Sequence, residues 1–198
     1  MLTVRGLTRP GLGPIDLEIA DGECVVLSGP SGTGKTLLLR ALADLDPAAG
    51  RMTLNGVARD DMPGPEWRRR VAYVAAEAAW WSDMAGDHFD DADAARHALA
   101  GLGLDDAVLE KQVALLSTSE RQRLALLRAL VLEPSAMLLD EPTSSLDADN
   151  AGRVEAMIEE RRAAGAAILV VTHDDAQARR LAARRLVIEG GAITEAAP

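Results

Sequence analysis

Apolar and polar residues alternate at the start of the chain, and the alternation predicts short strands over Leu2 to Leu7 and Ile15 to Ile19. The turn-rich Arg9-Pro10-Gly11-Leu12-Gly13-Pro14 separates them, and Asp21-Gly22 predicts a tight reversal into a third strand. That third segment, Glu23 to Ser28, is a short apolar run suited to burial on both faces. Leu37 to Leu42 continues as a good helix former. Asp46-Pro47 and Gly50 then break the chain, and Arg51 to Asn55 and Val71 to Val74 are the next strand candidates. A basic patch, Arg68 to Arg70, precedes the latter.

From Ala75 to about Leu116 the pattern dissolves into Ala, Asp and Leu with scattered Trp80, Trp81 and Phe89, which predicts a small helical insert. Taken with the helix that follows, it spans residues 76–132. The acidic stretch Asp87 to Asp93 lacks the glycine and terminal glutamate of a calcium loop, so it reads as a solvated helix start. Past Leu116 helices and strands alternate: Glu120 to Leu132, Ala136 to Leu139, Asp149 to Ala164, Ala166 to Val171, Asp174 to Ala182 and Arg185 to Ile188. That alternation predicts an α/β fold with a mostly parallel central sheet covered on both faces, preceded by an antiparallel β region. Residues 1–198 read as a single domain carrying the small helical subdomain.

Composition narrows the picture. Hydrophobic content of 48% and charged content of 26% are ordinary for a globular chain. A formal net charge of −10 argues against a nucleic-acid partner held through phosphates, which needs a basic face. The single Cys24 lies in a predicted buried strand, so no disulfide framework is expected and a reducing cytoplasm is the natural compartment. The chain opens without a signal-peptide pattern, and no apolar run is long enough to span a bilayer. Work at a membrane would therefore need another chain to supply the span.

Candidate chemistry begins at Gly29-Pro30-Ser31-Gly32-Thr33-Gly34-Lys35-Thr36, which satisfies the phosphate-loop pattern G-x-x-x-x-G-K-[ST] between a strand and a helix that continues through Leu37. A glycine-rich turn could match by chance, but the strand and helix on either side are the required setting. The glycines let successive N–H groups surround a phosphate, and the helix start adds its positive dipole end. Lys35 is expected on the β- and γ-phosphates of ATP, with the Thr36 hydroxyl as a Mg²⁺ ligand. Of 21 basic residues only Lys35 and Lys111 are lysine, so a compact ammonium stands where a phosphate needs one. The fold class is accordingly that of a P-loop NTPase. Further on, the strand Ala136 to Leu139 ends in Asp140 and Glu141. At a strand's carboxyl edge one carboxylate can orient Mg²⁺, the role expected of Asp140, while Glu141 faces the attacking water.

The chain resembles the nucleotide-binding subunits of ABC transporters over nearly all its length. After the phosphate loop come Leu116-Ser117-Thr118-Ser119-Glu120-Arg121-Gln122-Arg123 at the signature segment, Leu138 to Thr143, Ser145-Leu146-Asp147, and Val171-Thr172-His173-Asp174, in the family's order. The resemblance implies a head-to-tail dimer that sandwiches two ATP molecules between one chain's phosphate loop and the other's signature helix. It implies Glu141 as general base or water orienter, His173 as γ-phosphate contact, and Asp147 in the loop linking the two sites. Asp147 also suits the N-cap of the next helix. The implied activity is ATP hydrolysis driving a separate transmembrane permease subunit, at the inner face of the cell membrane. The segment Asp140 to Asp147 is similar to that of small bacterial exporter subunits of the iron-export and haem-export types.

Three departures qualify the resemblance. Thr118 and Ser119 replace both signature glycines, and Glu120 stands in the glutamine place. Ser117 and Glu120 still form a capping box, so the helix start can aim N–H groups at a phosphate, though two side chains crowd it. Ala76 occupies the place of the family's Mg²⁺-contacting glutamine, with Glu77 one residue away. No aromatic residue precedes Trp67, so adenine stacking is missing and only Arg9 or Leu12 could partly replace it. A homodimer is the expected assembly. An altered signature beside intact Glu141 and His173 also suits a heterodimer in which a second cassette supplies the signature. A soluble ABC-type ATPase that remodels a protein complex is the alternative, and a non-hydrolysing ATP-binding module a third possibility that Glu141 and His173 speak against.

Overall fold

A computed structural model describes residues 1–181 and 184–196. Two sheets organise it. β1 (Leu2–Arg9) and β2 (Leu12–Ile19) form a hairpin, and the first sheet is completed later by β4 (Ala49–Leu54) and β5 (Val57–Ala58), all antiparallel in the order β2-β1-β4-β5. Both strands of the hairpin run farther than their apolar alternation suggested. Pairing of Arg9 with Leu12 draws in Thr8 and Gly13, and only Pro10-Gly11 is left to turn. Between β2 and β4 lie β3 (Cys24–Ser28) and α1 (Lys35–Leu42).

The second sheet has the order β10-β9-β3-β8-β7-β6, where β6 is Val71–Val74, β7 Ala136–Asp140, β8 Ala167–Val171, β9 Arg184–Glu189 and β10 Ala192–Glu195. From β9 to β6 every pairing is parallel, and β10 returns antiparallel along β9. The sequence reading gave β9 as Arg185 to Ile188 and left out β10, although Gly190-Gly191, both at positive φ, is the hairpin turn that joins them.

Side-chain alternation on the buried strands divides the interior in two. Val25, Leu27, Leu138 and Leu169 face the first sheet and α1, whereas Val26, Met137, Leu139 and Ile168 face the helical side. α2 (Gly64–Arg70) was not anticipated; it seats fully buried Trp67, whose indole Nε1 donates to Leu42 O at 2.9 Å at the end of α1.

The segment between β6 and β7 is less helical than its composition suggested. It holds α3 (Ala92–Leu99), 3₁₀ turns at 86–88, 100–102, 106–110 and 113–115, and then α4 (Thr118–Leu130). Within the expected acidic helix start, Asp91 caps α3 by accepting from Ala94 N at 2.9 Å. Arg128 of α4 stacks on Trp80 and Trp81, 4.9 and 4.7 Å from their ring centres. α5 (Ala148–Ala163) and α6 (Asp175–Leu181) complete the helices among the described residues; the expected end of α6 at Ala182 falls outside them. No helix among the described residues is long and apolar enough to cross a membrane.

Candidate nucleotide site

The phosphate loop leaves β3 at Ser28 and enters α1 at Lys35. Two of its glycines are dictated by contact. A side chain at Gly29, where φ is 141°, would put Cβ 2.4 Å from Ile188 O of β9. One at Gly34, where φ is 99°, would meet Leu12 Cδ2 at 2.5 Å. Gly34 also begins α1 without a side-chain cap, leaving the first helical N–H groups to a ligand. Lys35 is buried and spans the loop, its Nζ donating to Gly29 O at 2.8 Å and Pro30 O at 2.9 Å. An ammonium has three donors, so one remains. Pro30, Ser31, Gly32, Thr36 and Leu37 are exposed around it, and Thr33 donates to Pro30 O at 2.8 Å.

Parallel register brings the other groups to the same edge. β7 and β8 pair Asp140 with Val171, so Asp140-Glu141 and Thr172-His173 leave the sheet side by side. Buried Asp140 accepts from Thr36 Oγ1 at 2.6 Å, joining loop and strand end across 104 residues of sequence. The same oxygen, Oδ2, accepts from Tyr73 OH of β6 at 3.3 Å. Burial, together with the Asp140 charge, pushes the Tyr73 phenol well above its ordinary range and keeps it a donor. A hydroxyl and a carboxylate directed at one point are the hard oxygen donors that Mg²⁺ takes, so Thr36 and Asp140 fit that ion.

Glu141 sits at φ 49°, an uncommon conformation for a side-chain-bearing residue and one that clusters at functional sites. Burial raises its carboxyl above the usual range, opposed by nearby His173 and Lys35 and reinforced by Asp140. His173 is largely exposed, with Nε2 3.2 Å from Glu141 Oε1; Oε1 has no hydrogen-bond partner among the described residues. Lys35, Thr36, Asp140, Glu141 and His173 thus gather at the carboxyl ends of β3, β7 and β8.

Ser117 and Asp147 stand apart from that group, each at a helix start. Ser117 caps α4 in a full capping box: Glu120 N donates to Ser117 Oγ at 3.1 Å, and Glu120 Oε2 accepts from Ser117 N and Oγ at 2.8 Å each. With Lys111 donating to it at 2.8 Å and the Ser117 backbone, the Glu120 carboxyl is held down to about 2. Asp147 caps α5, its carboxylate taking the N–H and side-chain amide of Asn150 at 2.8 Å each. Ala76 and Glu77 are exposed beyond β6. Arg9 is committed to Asp46 at 3.0 Å, while Leu12 packs on Gly34.

Sequence reasoning missed two residues. Tyr73 was read only as part of a strand; its place beside β7 was the unseen fact. Gln122 lies in the signature segment with nothing local to mark it, and it hydrogen-bonds the backbone of Glu141.

A phosphate loop opening a helix, an acidic pair at one neighbouring strand end and a histidine at another define a P-loop nucleotide-binding α/β domain. The ABC transporter family model matches residues 12–144, and the chain belongs to that family. It is 36% identical over 213 residues to the Fe(3+) ions import ATP-binding protein FbpC of Mesorhizobium japonicum, covering 98% of this chain and 59% of that one. It is 39% identical over 208 residues to the sn-glycerol-3-phosphate import ATP-binding protein UgpC of Chromohalobacter salexigens, covering 96% and 54%. The chain therefore spans little more than half the length of these relatives, and both are named as import proteins; the sequence alone left the direction of transport open, beside a segment similar to that of small exporter subunits. The ATP-binding cassette MJ0796, as a dimer in a post-hydrolysis state bound to ADP and Pi, has the same fold. It superposes with a TM-score of 0.86 at 22% identity, covering 99% of this chain and 98% of that one.

Proposed function

We propose that this chain binds Mg²⁺-ATP and hydrolyses it as the ATP-binding subunit of an ABC transport system, moving a separate transmembrane permease. The observation that carries the reading is the 2.6 Å contact from Thr36 to Asp140, which puts a phosphate loop and an acidic strand end at one point, with Glu141 next in sequence. Loop N–H groups and the remaining Lys35 donor receive the β- and γ-phosphate oxygens. Thr36 and Asp140 hold Mg²⁺, which when bound neutralises charge developing on the transferred phosphoryl group. Glu141 Oε1 orients the attacking water and draws its proton, and His173 contacts the γ-phosphate. The reaction is phosphoryl transfer to water, accelerated by positioning and electrostatics.

The assembly we favour is a head-to-tail homodimer over a heterodimer, each ATP completed by the Ser117 end of a partner's α4, with Asp147 linking the two sites. Residues 76–132 act as the helical subdomain, and the subunit sits at the cytoplasmic face of a membrane through its permease. The import function named for the relatives supports transport over remodelling of a soluble complex.

ATP turnover by the purified chain, followed over a range of protein concentration beside Glu141→Gln, tests this. Turnover that rises steeply with concentration, and a Glu141→Gln dimer trapped by Mg²⁺-ATP and seen by size, are the expected results. Binding of ATP with neither turnover nor dimer would overturn the homodimer mechanism.

A further inference from the structure

Gln122 lies one turn inside α4, is buried, and spends both ends of its amide on the segment that carries Glu141. Its Nε2 donates to Glu141 O at 2.8 Å, while its Oε1 accepts from Ser145 N at 3.3 Å and from Ser145 Oγ. The position it braces is the one at φ 49°. A backbone there persists only when its surroundings over-determine it, and the braces are few. Glu141 N donates to Val171 O at 2.9 Å, and among the described residues Glu141 O otherwise accepts only from Ser144, through N at 3.3 Å and Oγ at 3.2 Å. The Ser144 contacts are local and move with the loop; β8 holds the Glu141 N–H through Val171, and Gln122 is the brace that ties its carbonyl to α4.

Its neighbour Arg123, also buried, extends the attachment. Its Nη1 donates to Asn150 Oδ1 at 2.8 Å, and Asn150 in turn donates to Asp147. Two consecutive side chains of α4 therefore fasten Glu141, Ser145 and Asn150 to the helix that Ser117 caps.

We infer that Gln122 is a positioning residue for Glu141, fixing the carboxylate's backbone to α4 so that displacement of that helix shifts the hydrolytic group of the same chain. This rests on Glu141 as the group that orients water, proposed above. A ligand that engages the α4 N-terminus acts less than two turns from Gln122. The amide is thus a direct mechanical route from a nucleotide at the helix start to the carboxylate of the other site.

Gln122→Met keeps length and burial but offers neither the donor nor the carbonyl oxygen. In the full chain it is expected to lower kcat by roughly 10- to 100-fold with ATP affinity within about twofold, since the group acting on water is misplaced while the phosphate loop is untouched. Amide hydrogen exchange without nucleotide, read on residues 138–147, is expected to quicken. Unchanged kcat with unchanged exchange, or a loss confined to ATP affinity, would overturn the inference. If the Met variant does not fold, Gln122→Glu retains the oxygen for Ser145 and opposes Glu141 O with a second acceptor; the same kcat loss supports the inference and wild-type turnover overturns it. A parent chain without turnover removes the reading beneath the inference, whereas an active parent with an unaffected variant overturns Gln122 alone.

Discussion

Glu120 shows how one side chain can serve a helix and titrate far from its ordinary value. Lys111 and the Ser117 N–H and hydroxyl hold its carboxyl down to about 2 from 4.5. A carboxyl with a depressed folded value stabilises the fold above its unfolded value, and that contribution is lost as pH falls from about 4.5 toward 2. Glu120→Gln is therefore expected to be less stable than the parent at pH 7, with the gap closing in strong acid. Urea unfolding of both chains at pH 7, 4 and 2.5 checks this; a gap that persists unchanged at the lowest pH would refute it. The capping box itself was legible from Ser117 and Glu120 alone, because a cap is a contact between residues three apart. Lys111 was not, since only the folded approach to α4 brings it within 2.8 Å.

Among the elements, α2 is one that sequence patterning passed over, as it did β10. Pro63 and Pro65 break the apolar rhythm, yet Pro65 suits a first helical turn, and the helix exists to seat Trp67. The indole is fully buried, and its Nε1 bond to Leu42 O satisfies a carbonyl that the end of α1 would otherwise leave unpaired. Trp67→Phe keeps much of the packing and removes that donor. A loss of about 2 kcal/mol is expected in denaturant unfolding, combining the unsatisfied carbonyl with a small cavity. Deletion of the contact with no change in midpoint would mean that water or a shifted side chain takes its place.

At the scale of the whole molecule the phosphate loop depends on a strand about 160 residues away in sequence. β9 lies beside β3 and sets Ile188 O against Gly29, closing the loop's first residue to any side chain. Gly29→Ala is expected to weaken ATP binding more than tenfold, because the clash is with backbone and the left-handed φ is unfavourable for alanine. Titration with a fluorescent ATP analogue reads this directly; undiminished affinity would show that the loop can open away from β9. The C-terminal hairpin is fastened from the other side too, since Gly13 N donates to Gly191 O at 2.8 Å. The first hairpin, the phosphate loop and the last hairpin therefore form one unit.

The sequence by itself determined the phosphate loop, the acidic strand end, both helix caps and the alternation of a mostly parallel sheet. These are signals of period or of spacing within a few residues, set by local backbone geometry and by which face a side chain takes. Only the tertiary structure decided the rest. It set the order β9-β3-β8-β7-β6, which brings Thr36 to Asp140 and sets Tyr73 beside both. It also set the 3.2 Å approach of His173 to Glu141 and the clasp of Gln122 on the Glu141 backbone. Residues tens to more than a hundred positions apart meet through strand order and register. Those are fixed by burying two apolar faces at once, a condition that no short stretch of the chain expresses alone.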